Sequence, residues 1–196
     1  MSLTLYYSPG ACSLADHIAL KEAGLPHELV HVDLKAKTTE DGRDYREINP
    51  KGAVPALEEN GQVFTENAAL LIMIAERAGQ LLPKECAARY RVLEAVAFIT
   101  TEVHKGFAPL FKGASDADKE KAKETLSDKF SHLSQMLGED EYVAGPSFSI
   151  ADCYAIVMLL WADKMGIAVS DRLGFYRGRI LSRPAVEQAM EAEGLA

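Results

Sequence analysis

Apolar and polar positions in the first part of the chain follow the pattern of alternating strands and helices. Leu3–Tyr7 alternates leucines with polar or aromatic residues, which is typical of a β-strand with at least one buried face. From Ser13 onward, apolar residues recur at helical spacing, and Gly24 suits the end of that helix. Leu29–Leu34 is a second strand-like run. These segments predict a β-α-β unit whose two strands run parallel in one sheet.

A turn signal then predicts an antiparallel hairpin. Asn60-Gly61 separates two short apolar runs, Ala56–Glu58 and Gln62–Phe64. A type I′ turn needs positive φ at both central positions, which Asn and Gly tolerate better than other residues. A further helix follows, and Thr65 is expected to cap its start. This part of the chain thus has the predicted order β-α-β followed by β-β-α.

The remainder of the chain shows only helical patterns. Gln80–Ala87 has the composition of a linker, and no strand pattern follows it. The predicted helices are, in order, Ala88–Phe111 with a kink at Gly106 and Pro109, a helix capped by Ser115 and Asp118, an apolar helix Ile150–Met165 capped by Ser149 and Asp152, and a last helix from Pro184 to Glu193. The sequence therefore predicts an α/β domain over residues 1–80 and an all-α domain over residues 88–196.

The charge balance and apolar segments limit the classes of partner. The 196 residues carry a formal net charge of -8, which argues against nucleic acid or an anionic membrane as the main partner. Met1–Thr4 has no basic region of a signal peptide. The most apolar segment, Ile150–Ala162, is shorter than the ~20 residues that a membrane span needs, so a buried core helix is expected there.

The three cysteines are Cys12, Cys86 and Cys153, and they are too widely spaced for a zinc motif or a disulfide framework. This usage predicts no metal site and fits a reducing cytoplasm. Cys12 differs from the other two because it follows a strand and a Pro-Gly turn and begins a helix. Free N–H groups and the helix dipole favour a thiolate at such a position, so the expected pKa falls from about 8.5 toward neutrality. The alternative is a small buried apolar residue.

Two further stretches suggest that a peptide binds beside Cys12. A cis bond at Val54-Pro55 would present the backbone N–H and C=O of Val54 to a ligand instead of to the sheet. In Thr65-Glu66-Asn67, a helix N-terminus can bind a carboxylate while Glu66 holds an ammonium group. Together these features match the amino-acid end of a γ-glutamyl peptide. An ordinary capped helix start is the alternative for the second stretch.

The combination of these stretches resembles the cytosolic glutathione transferase family, and within it the bacterial beta class. The matching stretches are YSPGACSLADHIAL, NPKGAVPAL, the TEN at residues 65–67, TEVHKGFAPLF and the SIAD at residues 149–152. The resemblance implies a thioredoxin-like N-terminal domain that binds glutathione and an all-helical C-terminal domain that binds the second substrate. It also implies a homodimer.

The resemblance assigns roles to particular residues. It places Cys12 and His104 near the sulfur of glutathione as the catalytic pair. The other implied glutathione contacts are Val54 held by a cis Pro55, Glu66 and Asn67 at the γ-glutamyl end, Lys37 at the glycine carboxylate, and Thr101 and Glu102 nearby, with Glu102 a candidate to reach across a dimer.

The implied activity is conjugation of the glutathione thiolate to an electrophilic, mostly hydrophobic substrate. Glutathione is then a co-substrate, and no tightly bound cofactor is expected. Candidate walls of the second-substrate site are Phe107, Phe111 and Trp161, and a mostly structural role is the favoured alternative for Trp161. One departure from the family pattern is Ala97, where relatives often carry an asparagine beside the bound peptide. Because this chain lacks that asparagine, the resemblance implies one hydrogen bond fewer to glutathione.

Two other functions are compatible with the sequence. Cys12 can form a mixed disulfide with glutathione and exchange thiols, although Ala15 stands where a C-x-x-C motif has its second cysteine. The chain can also be a non-catalytic module that binds glutathione or a hydrophobic ligand, because fold does not fix function. A hydroxyl of Tyr6, Tyr7, Ser8 or Ser13 is a further candidate donor to a thiolate.

Overall fold

The structure, a computed structural model, describes residues 3–195. Its strands are β1 (Leu3–Tyr7), β2 (His27–Asp33), β3 (Thr38–Thr39), β4 (Ala56–Glu59) and β5 (Gln62–Thr65). Its helices are α1 (Leu14–Glu22), α2 (Tyr45–Ile48), α3 (Asn67–Ala78), α4 (Cys86–Phe98), α5 (Ala108–Phe111), α6 (Asp116–Leu137), α7 (Ile150–Lys164), α8 (Asp171–Leu181) and α9 (Pro184–Ala192). A π-helical segment, Ile99–His104, follows α4 directly.

The chain forms two compact units. The first unit comprises the residues up to Leu81 together with those from Ser182 onward, and the second is Leu82–Leu181. The expected division placed all of residues 88–196 in the helical domain, and the structure differs from it at the C-terminal end. The reason is that α9 packs against α1, so the last segment buries its apolar face in the first unit.

The first unit is built on a mixed sheet of strand order β3-β2-β1-β4-β5. The strands β1 and β2 run parallel, which confirms the predicted β-α-β unit. The strands β4 and β5 form the predicted antiparallel hairpin, and Asn60 and Gly61 have φ values of 52° and 78°, as a type I′ turn requires. The sequence pattern did not predict the two-residue edge strand β3.

The start of α3 differs from the sequence-based expectation. Thr65 is the last residue of β5 and does not cap the helix, so that prediction is wrong. The N-cap is Glu66, whose φ of 77° is unusual for a residue with a side chain. At the other end, Gly79 adopts the left-handed conformation, with a φ of 66°.

The last segment of the chain is tied to α1 by polar contacts. Glu193, just after α9, accepts a hydrogen bond from the backbone N–H of Gly10 at 3.0 Å. Its other carboxylate oxygen lies 2.9 Å from Nδ1 of His17, and both side chains are completely buried. Arg183 forms a two-pronged ion pair with Glu22, at 2.6 and 2.8 Å. These contacts anchor the C-terminal segment to the loop and helix that carry Cys12.

The second unit consists of helices joined by turns and loops, and within residues 82–181 its one β feature is an isolated bridge between Tyr142 and Gly145. The predicted long helix is interrupted by the π-helical segment and resumes as the short α5, near the expected kink. Helix α7 is buried along most of its length, as predicted, and begins with the predicted capping box of Ser149 and Asp152. Helix α8 was not predicted from the pattern.

One face of α6 is apolar and faces the core, since Leu126, Phe130, Leu133 and Leu137 are all buried. Ser115 caps this helix through the N–H of Asp118. Among residues 3–195, every helix is too short or too polar to cross a lipid bilayer.

Candidate active site

Cys12 lies in the tight turn that joins β1 to α1. Its Sγ–H donates a hydrogen bond to the backbone oxygen of Val54 at 3.4 Å. The Val54-Pro55 peptide bond is cis, as the resemblance implied. Asn67, the first residue of α3, is buried and donates from Nδ2 to the backbone oxygen of Cys12 at 2.7 Å. The start of α1, the segment before β4 and the start of α3 thus converge around the thiol.

The pKa of Cys12 is shifted in the direction opposite to the one expected from the sequence. Burial raises the pKa of the Cys12 thiol to about 12, and the negative charge of Asp16 adds to the increase. The Asn67 amide and the backbone N–H groups of Cys12 and Ser13 act in the predicted direction, but they do not overcome burial. The prediction of a low pKa is therefore wrong for this structure, and Cys12 is a neutral thiol at physiological pH.

Val54 presents its backbone outside the regular hydrogen bonding of the sheet. It precedes β4, and its N–H donates to no acceptor in the described part of the chain. Its C=O accepts the hydrogen bond from Cys12, which is a weak donor. An extended peptide aligned with this segment can pair with both groups, because a carbonyl oxygen has a second lone pair.

Glu66 is the charged residue at the start of α3, next to Asn67. Its side chain is 70% exposed and forms an ion pair with Lys51, which also donates to the Thr65 hydroxyl at 2.8 Å. The neighbouring Asn67 has its Oδ1 buried without a hydrogen-bond partner. This pair of residues therefore offers an accessible anion and a buried acceptor at the beginning of α3.

Lys37 lies on the loop after β2 in a left-handed conformation, with a φ of 60°. Its Nζ donates to the backbone oxygen of Gly52 at 2.7 Å. Gly52 is two residues before Val54, so this contact joins Lys37 to the segment that presents the backbone N–H and C=O of Val54. The first unit thus brings Cys12, Lys37 and Val54 into one connected set, together with the Glu66-Asn67 pair.

The other predicted site residues lie on the π-helical segment of the second unit. The Thr101 hydroxyl donates to the backbone oxygen of Ala97 at 3.1 Å. Glu102 forms an ion pair with Lys129 of the same chain at 2.7 Å. A π-helical turn displaces the side chains that follow it relative to an α-helix, and such turns are frequent at functional sites. The sequence pattern gave no indication of this irregularity.

His104 ends the π-helical segment and is held by aromatic residues of α7. Its Nδ1 lies 2.5 Å from the hydroxyl of Tyr154, and its ring packs edge-on against Trp161 with centroids 5.1 Å apart. Burial lowers the pKa of His104, so the imidazole is uncharged at neutral pH. Phe107 and Phe111 also pack against Trp161, and Phe111 is 52% exposed. The three predicted wall residues therefore form one aromatic cluster next to His104, but Phe107 is completely buried and, contrary to expectation, exposes no surface to a substrate.

Two of the hydroxyl groups near Cys12 are engaged elsewhere. The Tyr6 hydroxyl donates to Glu58 at 2.8 Å, and the pKa of Tyr6 is raised by burial and by that carboxylate. The Ser13 hydroxyl lies 3.4 Å from the backbone oxygen of Ser8. Within residues 3–195, no group of three or more His, Cys, Asp or Glu side chains is placed to hold a metal ion.

The sequence analysis missed Asp16, an acidic residue that lies close to Cys12 along the chain. Asp16 lies on α1, one helical turn after Cys12, and it is completely buried. Burial raises the pKa of its carboxyl well above the ordinary range. The available signal was an aspartate inside the stretch Leu14–Leu20, whose other residues apart from His17 are apolar, so that a solvated charge is not expected there.

Comparison with known proteins identifies relatives along both units. Residues 11–77 match the family model for the glutathione S-transferase N-terminal domain, and residues 98–181 match the one for the C-terminal domain. The chain is 38% identical over 200 residues to glutathione S-transferase GstA of Escherichia coli O157:H7, an alignment that covers 98% of this chain and 100% of that protein.

Solved structures give the same result. A sphingomonad glutathione S-transferase complexed with glutathione is 44% identical, with a TM-score of 0.92, covering 98% of this chain and 100% of that one. A bacterial beta class glutathione S-transferase from Sphingomonas chungbukensis is 43% identical, with the same TM-score and the same coverage. These matches confirm the thioredoxin-like first unit and the helical second unit. The chain belongs to the glutathione S-transferase family.

Proposed function

We propose that this protein is an enzyme that joins the thiolate of glutathione to electrophilic, mostly hydrophobic substrates. The observation that carries the proposal is the contact of Cys12 with Val54, which puts a thiol donor beside a free backbone edge at the start of a helix. The relatives support the same activity, since they are named glutathione S-transferases and one was solved with glutathione bound.

Glutathione binds, in this proposal, as an extended peptide along the first unit. Its cysteinyl residue pairs with the backbone N–H and C=O of Val54. Its γ-glutamyl ammonium replaces Lys51 as the partner of Glu66, and the γ-glutamyl carboxylate meets the start of α3 at Asn67. Lys37 exchanges its contact with the Gly52 oxygen for the glycine carboxylate. Glu66 and Lys37 each exchange one polar partner for another, and Lys51, once released from Glu66, keeps its hydrogen bond to the Thr65 hydroxyl.

Cys12 acts in this proposal as a hydrogen-bond donor. A thiol with a pKa of about 12 keeps its proton at neutral pH, so it can donate to an anion. When glutathione occupies the Val54 edge, the Cys12 S–H turns from the Val54 oxygen to the glutathione sulfur. Donation to the anion lowers the pKa of the glutathione thiol and increases the fraction present as thiolate.

His104 has a separate proposed role, which rests on the family resemblance. An uncharged imidazole can accept the proton that glutathione loses. If Nδ1 donates to the Tyr154 hydroxyl, Nε2 is free to accept. Thr101 and Glu102 are proposed as nearby glutathione contacts on the same segment. The thiolate then attacks an electrophilic carbon, and the leaving group departs with the bonding electrons.

The aromatic cluster indicates the class of the second substrate. Phe111 is half exposed and Trp161 is partly exposed, so their rings offer faces and edges that favour flat, apolar molecules, while Phe107 is buried and packs against both. Aryl halides and related aromatic electrophiles fit this description.

Assembly as a homodimer and a cytoplasmic location stay predictions from the resemblance and the cysteine usage. Light scattering after size-exclusion chromatography measures the first, and a monomer mass would contradict it.

A conjugation assay with glutathione and an activated aryl halide tests the function. Wild type is expected to release halide and form the thioether, while Cys12→Ala and His104→Ala lose roughly tenfold or more in kcat/KM because each removes a group that stabilises or forms the thiolate. Cys86→Ala is the matched control, since Cys86 is an exposed thiol on α4. Lack of conjugation by wild type would contradict the function, and unchanged rates in both variants would contradict the site.

A further inference from the structure

The two ring nitrogens of His104 are in different surroundings. Nδ1 lies 2.5 Å from the hydroxyl oxygen of Tyr154, which is completely buried on α7. Nε2 has no hydrogen-bond partner within residues 3–195 and, unlike Nε2 of His17, it is not a buried atom. The side chain of His104 as a whole is partly exposed. One edge of the imidazole is therefore fixed by a buried residue of the second unit, and the other edge is open.

Helix α7 holds the imidazole through two side chains. Trp161 follows Tyr154 by seven residues, which is two helical turns, so both side chains lie on one face of α7. The ring of His104 packs edge-on against both of them, with centroids 5.8 Å from Tyr154 and 5.1 Å from Trp161. Because α7 is buried along most of its length, it is a rigid support for a side chain on the π-helical segment.

The hydrogen bond between His104 and Tyr154 can form in two ways. A phenolic hydroxyl both donates and accepts, and a neutral imidazole carries its one proton on either nitrogen. If Tyr154 donates, the ring proton is on Nε2 and the open edge is an N–H donor. If Tyr154 accepts, the ring proton is on Nδ1 and the open edge has a lone pair, which a general base requires. The direction of this bond therefore decides what His104 can do.

We propose that Tyr154 is a positioning residue that accepts a hydrogen bond from Nδ1–H of His104 and thereby keeps the lone pair of the ring on Nε2. This inference rests on the proposed function, in which His104 accepts the proton of glutathione, and it names the residue that prepares the ring for that step. The nitrogen that carries the proton is set by the hydrogen bond that the other nitrogen makes.

The proton transfer then needs no rearrangement at the buried edge. The proton moves from the glutathione sulfur to Nε2, and the electron pair of the S–H bond stays on sulfur. Nδ1 keeps its own proton, so Tyr154 accepts the same hydrogen bond before and after the transfer. The imidazolium later returns the proton to water. With the opposite direction of the bond, His104 would have to break its contact with Tyr154 before it could accept a proton.

A hydroxyl group suits this role because it orients the ring without adding a charge. A carboxylate beside Nδ1 would stabilise the imidazolium and raise the pKa of His104, whereas burial lowers it in this structure. The carboxylate of Glu102, two residues earlier on the π-helical segment, is paired with Lys129. The imidazole therefore stays uncharged and able to accept a proton.

Nitrogen-15 NMR of histidine-labelled protein tests the direction of the bond. The spectrum is recorded without glutathione at pH 8, where the imidazole is uncharged, and the spectrum of His104→Ala identifies the His104 signals among those of the 5 histidines. We expect the His104 proton on Nδ1 in wild type, and a mixture of both tautomers in Tyr154→Phe. A wild-type proton on Nε2, or an unchanged spectrum in Tyr154→Phe, would overturn the inference.

Conjugation kinetics with glutathione and an activated aryl halide test the positioning role. Tyr154→Phe should lower kcat about fivefold, the equivalent of one lost hydrogen bond, and leave KM for glutathione unchanged. In the His104→Ala background the same substitution should have no further effect, because Tyr154 acts through that ring. Tyr176→Phe is the matched control, since it removes the hydrogen bond of another buried tyrosine, to Asp152, and should leave kcat unchanged in both backgrounds.

Equal losses from Tyr154→Phe in both backgrounds, or a raised KM with unchanged kcat, would overturn the inference, because Tyr154 would then serve the fold or substrate binding. If circular dichroism shows that Tyr154→Phe does not fold, the wild-type NMR spectrum decides alone. Conjugation by wild type is scored separately, and its absence would contradict the proposed function whichever nitrogen of His104 carries the proton.

Discussion

Asp16 on α1 and Asp152 on α7 are both completely buried near the start of a helix, yet their surroundings differ. Asp152 accepts four hydrogen bonds, from the N–H of Val143 at 2.9 Å, from the N–H and hydroxyl of Ser149 at 2.9 and 3.0 Å, and from the hydroxyl of Tyr176 at 2.7 Å. Asp16 accepts none on either oxygen.

This difference separates a carboxylate that is stabilised by hydrogen bonds from one that is not. Burial raises the pKa of both residues, but the donors around Asp152 act against burial and stabilise its ionised form. The four bonds of Asp152 connect three parts of the second unit, so its charge contributes to the fold. Asp16 contributes no such connection, because neither of its carboxylate oxygens has a hydrogen-bond partner. Burial alone therefore does not reveal what a carboxyl group does.

Replacement of Asp152 should have the largest effect. Asp152→Ala leaves the donors of Val143, Ser149 and Tyr176 without their acceptor and removes the capping box, so we expect a loss of about 3 kcal/mol in the free energy of unfolding. Urea denaturation followed by circular dichroism measures it. Asp163→Ala is the control in the same helix, because Asp163 is an exposed partner of Arg177 and should matter little. Equal losses in both variants would contradict the comparison.

Replacement of Asp16 should have a smaller effect that depends on pH. Because its pKa is raised in the native state, the stability it contributes is complete below about pH 4 and is lost as pH rises toward the native pKa. Asp16→Asn cannot lose stability in this way. Within that window, the difference in free energy of unfolding between Asp16→Asn and wild type should therefore shift in favour of the variant by up to about 1.4 kcal/mol per pH unit.

Denaturation curves of wild type and Asp16→Asn at pH 5, 7 and 9 measure this gain. The exposed substitution Asp171→Asn should give curves that differ from wild type by the same small amount at all three pH values. A gap between Asp16→Asn and wild type that does not change with pH, or that narrows as pH rises, would show that Asp16 is solvated or paired in solution.

The smallest effect is expected from one donor to Asp152. Tyr176→Phe removes a single hydrogen bond from a carboxylate that keeps three, so about 1 kcal/mol should be lost. Tyr90→Phe is a suitable control, since Tyr90 is 64% exposed on α4. Thermal denaturation of wild type and both variants at one pH measures the loss of stability in each. No loss in Tyr176→Phe would mean that the network tolerates an unsatisfied acceptor.

Features set by neighbours in sequence could be predicted. The Asn60-Gly61 hairpin and the capping box at Ser149 and Asp152 each depend on a few adjacent residues with specific conformational preferences. The stretch around Cys12 likewise placed the thiol correctly at the start of a helix. Local chemistry was therefore sufficient to locate these elements.

Features set by packing could not be predicted. The helix start at Cys12 correctly suggested favourable N–H groups, but the burial that outweighs them depends on residues distant in sequence. The same holds for Asp16, which no pattern marks as completely buried. The π-helical segment before His104 and the return of α9 to the first unit also depend on tertiary contacts. Roles that family resemblance assigns to residues must also be tested against the burial and tertiary contacts of those residues.

The return of the C-terminal segment sets an order for biosynthesis. The ribosome produces the sheet and α1 first, then the whole of Leu82–Leu181, and only afterwards the residues from Ser182 onward that supply Glu193 to His17 and Gly10. The part of the protein that is translated first is thus the last to acquire all its native contacts. A nascent chain stalled before Ser182 would carry Cys12 on a loop that still lacks its carboxylate anchor.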